Sequence, residues 1–262
     1  MKSFELAANA LIVASSAAYL AGWASLAVKR RRTGQVLSTA AWLVTAALVT
    51  LNGVIMRGPP VGNMYQVMMV LSLCFMPLFL ILARRSGLAW AAPYFTALAI
   101  LPLVGGFFME KDAHWRQMPA LQSHWFVPHV LAYMIAYALA TVAAVFLAVK
   151  WIGALRKKDN GKYDGASHET LRLAFPFMTF GMLSGALWAE QAWGQYWSWD
   201  SKETWSLIMW LCYLIYLHAR KQPVWRKYAD IAQALGYLSL LATFLLVNLL
   251  PRLSSILHGY AQ

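Results

Sequence analysis

The chain has 262 residues, of which 60% are hydrophobic and 12% are charged, and its mean hydropathy is +0.52. Soluble domains contain about 45–50% apolar and about 25% charged residues, so the composition excludes an ordinary soluble domain and predicts a polytopic membrane protein. The formal net charge of +12 would suit nucleic-acid binding, but the positions of the basic residues favour another explanation.

Eight apolar stretches are long enough to cross a membrane as helices, which takes about 20 mostly apolar residues. They predict an all-α fold that forms a single integral-membrane domain over residues 1–262. The seventh stretch is short, and it spans the bilayer only if it begins in the aromatic residues before it or tilts little. The stretches are roughly residues 5–28, 35–56, 64–83, 87–109, 127–150, 171–189, 204–219 and 229–250.

The loops between these stretches differ in basic content. The cluster Lys29–Arg32 follows the first stretch and only Lys2 precedes it, which is the reverse of a signal peptide. Of the 22 Lys and Arg residues, 16 fall in the set of loops that contains this cluster. The positive-inside rule therefore predicts that both termini lie on the outer side and that nucleic acid is not a partner.

The number and spacing of the cysteines argue against two further classes of protein. Cys74 and Cys212 lie in separate apolar stretches, and the chain contains no CxxC or CxxCH motif. A dithiol oxidoreductase and a c-type cytochrome are therefore not expected. The polar residues 154–169, which include His168, are predicted to be an ordinary inner loop.

Residues 193–205, called the aromatic segment below, contain four tryptophans, one tyrosine and three charged residues. They belong to an outer region at about 188–205 and exceed what membrane anchoring needs. The segment predicts a flat aromatic surface beside fixed polar groups, which suits a large planar anion such as a porphyrin. Asp200 has a second interpretation as the N-cap of the seventh helix. The residues predicted to bind the ligand are Trp193, Tyr196, Trp197, Trp199, Asp200 and Trp205.

Two histidines lie on the outer side around this segment. His129 is at the outer end of the fifth stretch, and Tyr133 and Tyr137 follow it on the same helix face. His258 lies beyond the eighth stretch. Because imidazole is the usual axial ligand of heme iron, the pair predicts a bis-histidine heme site. His114 and His124, also outer, are expected to be solvated.

His218 is near the inner end of the seventh stretch, about 20 Å from the aromatic segment along a helix. It is either an interfacial residue at a helix end or a ligand of a second, inner site. No other histidine is expected at that depth, since His168 is assigned to a loop. A six-coordinate inner site would then need a partner protein or another ligand.

Four segments together resemble the cytochrome c biogenesis family of the CcsA (ResC) type, whose members handle heme in the system II pathway. Ser201 stands where that family usually has Pro, and Gln66 stands where it has Glu. The segments are Trp193–Trp205 with Tyr216-Leu217-His218, Leu121–Trp125 with His129-Val130, Asn63-Met64-Tyr65-Gln66, and Asn248-Leu249-Leu250 with His258-Gly259-Tyr260.

The resemblance implies that His129 and His258 are the outer axial ligands of heme b. It also implies that His218 is an inner ligand, paired there with a histidine of a CcsB (ResB) type partner. The protein would lie in the inner (cytoplasmic) membrane with its site facing the periplasm or the cell exterior.

The same resemblance implies a subunit of a heme lyase, or holocytochrome c synthase, acting on the CxxCH motif of apocytochrome c. Outer cations would hold the heme propionates, with His258 as the exchangeable ligand. A system I heme chaperone of the CcmC type and a non-heme membrane scaffold are the alternatives. The candidate cations are Arg57, Lys111, Arg116, Lys202 and Arg252.

Overall fold

A computed structural model describes residues 2–111, 122–158 and 161–246, and every regular element in these ranges is helical. The all-α prediction is confirmed. The main helices are α1 (Lys2–Ala27), α2 (Arg31–Met56), α3 (Met64–Arg85), α4 (Ala92–Phe107), α5 (Phe126–Leu155), α6 (Gly161–Trp193), α7 (Ser201–Ala219) and α8 (Ala229–Leu241). Short 3₁₀ turns precede α4 (Leu88–Ala91) and α8 (Arg226–Tyr228), and a π-helical turn (Ala242–Leu246) follows α8.

Seven helices in the described part of the chain are long and apolar enough to cross a membrane, so the protein is an integral membrane protein. The exception is α7, which has 19 residues. Its first turn contains Lys202 and Glu203, and its tryptophans, tyrosines and histidine lower its hydropathy further. This is the short seventh stretch of the sequence prediction.

The helices cluster into two compact units, residues 1–118 and 119–262. In the first unit, small polar side chains connect the helices in pairs. Ser72 Oγ donates to the Ala99 carbonyl at 2.7 Å, and Trp42 Nε1 donates to the Leu73 carbonyl at 2.9 Å. Such bonds satisfy polar groups that lipid cannot, so they favour close helix packing in a membrane.

The second unit contains α5 to α8 and the aromatic segment. A set of four charged residues, called the ion cluster below, joins these helices at one end. Lys150 Nζ lies 2.7 Å from carboxylate oxygens of both Asp164 and Asp230. Arg220 lies 2.7 Å from Asp164. Because Lys150 is on α5, Asp164 on α6, Arg220 just after α7 and Asp230 on α8, the cluster fixes four helix ends together.

The ion cluster also explains where the loop prediction was wrong. Residues 161–169 were assigned to a polar loop, but α6 begins at Gly161 and α5 continues to Leu155. Helix formation places the polar side chain of Asp164 against Lys150 and Arg220, and it places Ser167 against Gln233 at 2.7–3.0 Å. Partners supplied by other helices therefore compensate for the low hydropathy of this stretch.

Candidate functional site

The aromatic segment connects α6 to α7 through two strong helix-end signals. Gly194 has a φ of +74° and its N–H donates to the Glu190 carbonyl at 2.8 Å, which ends α6. Asp200 is the N-cap of α7, since its Oδ1 accepts the Glu203 N–H at 2.8 Å. The N-cap interpretation of Asp200 is thus confirmed, and it defines where the segment becomes helical.

Glu203 holds the segment in shape. Its carboxylate Oε2 accepts hydrogen bonds from the Ser198 N–H at 2.7 Å, the Ser198 hydroxyl at 3.1 Å and the Asp200 N–H at 3.3 Å. Between these donors Trp199 adopts a φ of +61°, a conformation that is costly for a bulky residue and persists only when its surroundings enforce it. Sequence analysis did not select Glu203, although the spacing Asp200-x-x-Glu203 is a capping-box signal.

The enforced conformation leaves aromatic rings of the segment on the surface. Trp199 is 70% exposed and Tyr196 is 58% exposed, while Trp205 is also exposed. Trp197 packs edge-on against Trp199 with ring centroids 5.8 Å apart. The Trp197 indole N–H is buried and has no acceptor among the described residues, which is the kind of donor that a bound anionic group would satisfy.

His129 is in the first turn of α5 and is fixed against α6. Its Nδ1 lies 2.8 Å from the Gly181 carbonyl oxygen. A carbonyl oxygen can only accept, so Nδ1 carries the proton and the lone pair of the neutral imidazole is on Nε2. An imidazole whose other nitrogen donates to a backbone carbonyl is the usual arrangement of a metal-binding histidine.

The close approach of the His129 ring depends on Gly185, one turn beyond Gly181 on α6. A Cβ at position 185 would lie 2.6 Å from both Cε1 and Nδ1 of His129. A Cβ at Gly181 would lie 3.1 Å from the Tyr133 ring. The two glycines therefore form a flat surface on α6 that receives the side chains of α5.

Trp188 links His129 to the aromatic segment. Its ring is 5% exposed and lies 5.4 Å from the His129 ring and 4.9 Å from the Trp193 ring, centroid to centroid. Sequence analysis placed position 188 at the start of the outer region but did not select this residue. The structure thus brings together His129, Trp188 and the beginning of the aromatic segment.

The predicted inner ligand His218 is not part of this arrangement. His218 is exposed at the far end of α7, with Nδ1 2.8 Å from the Leu214 carbonyl. His258 lies outside the described residues, as do His114, Arg116 and Arg252. His124 is exposed one turn before His129.

Lys111 is a poor partner for an external anion. Its ammonium donates to the carbonyls of Phe107 and Met109 at 3.0 and 2.9 Å, and the side chain is 8% exposed. Burial lowers the pKa of Lys111, an effect that the charge of Glu5 partly opposes. Among the other cations, Arg57 is exposed and Lys202 is half-buried in the first turn of α7.

His168 requires a correction. It was expected on a polar inner loop, which left no second histidine at the depth of His218. It lies within α6, half-buried, with its ring 5.9 Å from that of Tyr216 on α7. Because Tyr216 is two residues from His218, the chain has a second histidine near that end of α7.

Comparisons with known proteins show which proteins the chain resembles. Residues 61–254 match the family described as "Cytochrome C assembly protein". The chain is 36% identical over 217 residues to a cytochrome c biogenesis protein CcsA of Chlamydomonas reinhardtii, a match that covers 77% of this chain and 60% of that protein. Proteins of the same name from Mesostigma viride and Synechococcus sp. (strain CC9605) are 32% and 30% identical, and the matches cover 77% and 88% of both partners.

The chain also shares its fold with a solved structure. It is named "Cytochrome c Heme Lyase CcmF", and it superposes with a TM-score of 0.60 at 20% identity. The superposition covers 92% of this chain and 47% of the other, so this chain spans about half the length of that protein.

Proposed function

This chain belongs to the cytochrome c assembly protein family, and on that basis we propose that it binds heme b as a substrate at an outer site and presents it to apocytochrome c. Its general role is in cytochrome c maturation. The proposed heme site consists of His129, the aromatic segment and His258 as second axial ligand. His218 would serve an inner site shared with a CcsB (ResB) type partner.

The observation that supports the proposal most directly is the state of His129. Its proton is held on Nδ1 by the Gly181 carbonyl, so Nε2 is the nitrogen that would coordinate iron. Its ring plane is fixed between Trp188 and Gly185. A ligand oriented in this way loses little conformational entropy when it binds.

The aromatic segment supplies groups that could contact the porphyrin face and the propionates of the heme. Exposed rings such as Trp199 and Tyr196 can stack on a porphyrin face, worth about 0.5–1.5 kcal/mol per good pair beyond area burial. The unsatisfied Trp197 N–H and the ammonium of Lys202 suit a propionate. Asp200 would act indirectly, because its carboxylate caps α7 and so sets the position of these groups.

The attachment reaction needs positioning more than acid–base chemistry. Each cysteine thiol of CxxCH adds across one vinyl group of the heme, so that a carbon–sulfur bond forms and the thiol proton moves to the terminal vinyl carbon. The protein residues would hold the macrocycle with its vinyl edge towards the incoming peptide. In this scheme the peptide histidine displaces one protein ligand, and His258 is assigned that exchange. The chain would thus be a subunit of a heme lyase.

The test is the absorption spectrum of the purified, reduced protein. His129→Ala should lose or shift the heme bands, and added imidazole should partly restore them, because it can occupy the vacated position. His124→Ala is the matched control, since this histidine is exposed and only five residues away. An unaltered spectrum in His129→Ala, or equal loss in the control, would remove His129 from the site.

A further inference from the structure

A cavity of about 390 Å³ lies between α6 and α7, at the end of the helices that contains His218 rather than the aromatic segment. It is at the small end of the range for ligand pockets, which suits a compact polar group. A proline within a helix disturbs the turn before it, and Pro176 does so beside the cavity. The lining residues are His168, Arg172, Phe175, Pro176, Leu217 and Lys221.

The polar part of this lining is basic. It presents a guanidinium, an ammonium and an imidazole, and no carboxylate. Arg172 pairs with Glu169 at 2.9 Å, but that contact is exposed and therefore weak. None of the ion pairs among the described residues involves Lys221. The cavity therefore favours an anion that brings its own negative charge.

Exposed apolar side chains on α6 lead away from Arg172. On α6, positions 172, 176, 180, 183 and 187 are spaced by three or four residues, so they share one face. After Arg172 this face presents Pro176, Phe180, Leu183 and Leu187, all exposed.

A basic cavity at the end of an exposed apolar helix face matches one class of molecule in a membrane. We propose that it binds an anionic phospholipid of the surrounding bilayer. The phosphate accepts hydrogen bonds from Arg172, Lys221 and the His168 imidazole, and the acyl chains lie along the exposed face of α6. Basic pockets between membrane helices commonly hold lipid headgroups in this way.

The test compares lipid retention by the delipidated, detergent-purified full-length protein, measured by native mass spectrometry. The probes are phosphatidylglycerol and phosphatidylcholine, which share acyl chains and differ in net charge. The wild type should retain phosphatidylglycerol preferentially. The double variant Arg172→Gln, Lys221→Gln should bind it roughly 25-fold more weakly, since each basic residue near an anionic lipid contributes about fivefold.

The matched control is Lys157→Gln, Lys158→Gln, which removes the same charge from the exposed α5–α6 connection. Its phosphatidylglycerol affinity should equal that of the wild type. Equal affinities in both double variants would overturn the proposal. So would displacement of the lipid by an equal concentration of inorganic phosphate. If the cavity variant loses heme but keeps the lipid affinity of the wild type, the proposal is wrong and Arg172 and Lys221 bind heme propionates instead.

Discussion

The absence of a side chain at Gly185 determines where the proposed heme ligand His129 lies. The His129 ring fits against α6 only because Gly185 has no side chain, and the Gly181 carbonyl one turn earlier fixes the ring's tautomer. Position and protonation of one imidazole thus depend on two residues of another helix. A change at either glycine should affect heme binding without touching the heme.

Gly185→Ala tests this dependence. The added Cβ would overlap Cε1 and Nδ1 of His129 at 2.6 Å, so the ring must move and its bond to Gly181 weakens. Overpacking of this kind costs about 1–3 kcal/mol, or about 5- to 150-fold in heme affinity. Heme titration followed by absorption would measure the loss.

Gly165→Ala is the matched control for this experiment, because a Cβ at that position of the same helix meets nothing within 4 Å. It should bind heme as the wild type does. If Gly185→Ala also keeps wild-type affinity, the packing of the imidazole is irrelevant to binding.

Residue chemistry and periodicity single out His129 from the sequence, and its place in the heme site stays a prediction. They could not indicate Gly185 or Trp188, because the sequence around a glycine or a tryptophan in an apolar helix does not show which residue of another helix it contacts. Glu203 could have been found from its capping-box spacing. His168 was misplaced because its neighbours are polar in sequence while their partners lie on other helices.

The ion cluster joins the helices of the second unit at one end. Asp164 bonds to both Lys150 and Arg220, and the Arg220 side chain is only 10% exposed. Pairing stabilises partly buried charges at helix ends. Removal of one partner destabilises the protein strongly, because the other charge is left buried without compensation. The length of α6 was underestimated from sequence for the same reason, since hydropathy does not register pairing between distant helices.

Asp164→Asn should therefore destabilise the protein. It keeps the side-chain shape but leaves Arg220 without its carboxylate, at a cost of about 1–3 kcal/mol in the free energy of unfolding. Thermal unfolding in detergent would report it. Glu169→Gln removes a carboxylate from an exposed pair on the same helix and should change stability by less than about 0.5 kcal/mol. Equal effects of the two substitutions would show that the ion cluster contributes no more to the free energy of unfolding than an exposed ion pair does.

The molecule as a whole combines apolar helices with an uneven distribution of basic residues. Helix number and the membrane class followed from composition and apolar length, both of which are local properties. The shortness of its apolar stretch made the status of α7 as a span uncertain from sequence, and this helix remains apart from the seven clear candidates in the described chain. Orientation rests on charge alone and stays a prediction.

Cysteine labelling would test the orientation. In a background with Cys74 and Cys212 replaced by Ala, Gln195→Cys places a thiol in the aromatic segment and Lys157→Cys places one between α5 and α6; both positions are exposed. A membrane-impermeant maleimide should label position 195 in intact cells and position 157 only after permeabilisation. The reverse pattern would invert the topology and move the proposed heme site to the inner side.

The ion cluster also has a consequence for biogenesis. Lys150 and Arg220 share the single carboxylate of Asp164, and Asp230 lies 80 residues after Lys150, so the cluster has one unmatched positive charge until α8 has been synthesised and inserted. Unpaired charges near a bilayer are costly, and a truncated or misinserted chain would keep them exposed to the quality-control proteases of the membrane. Completion of the second unit is thus the event that neutralises them, and the native charge pairing marks a chain whose insertion has finished.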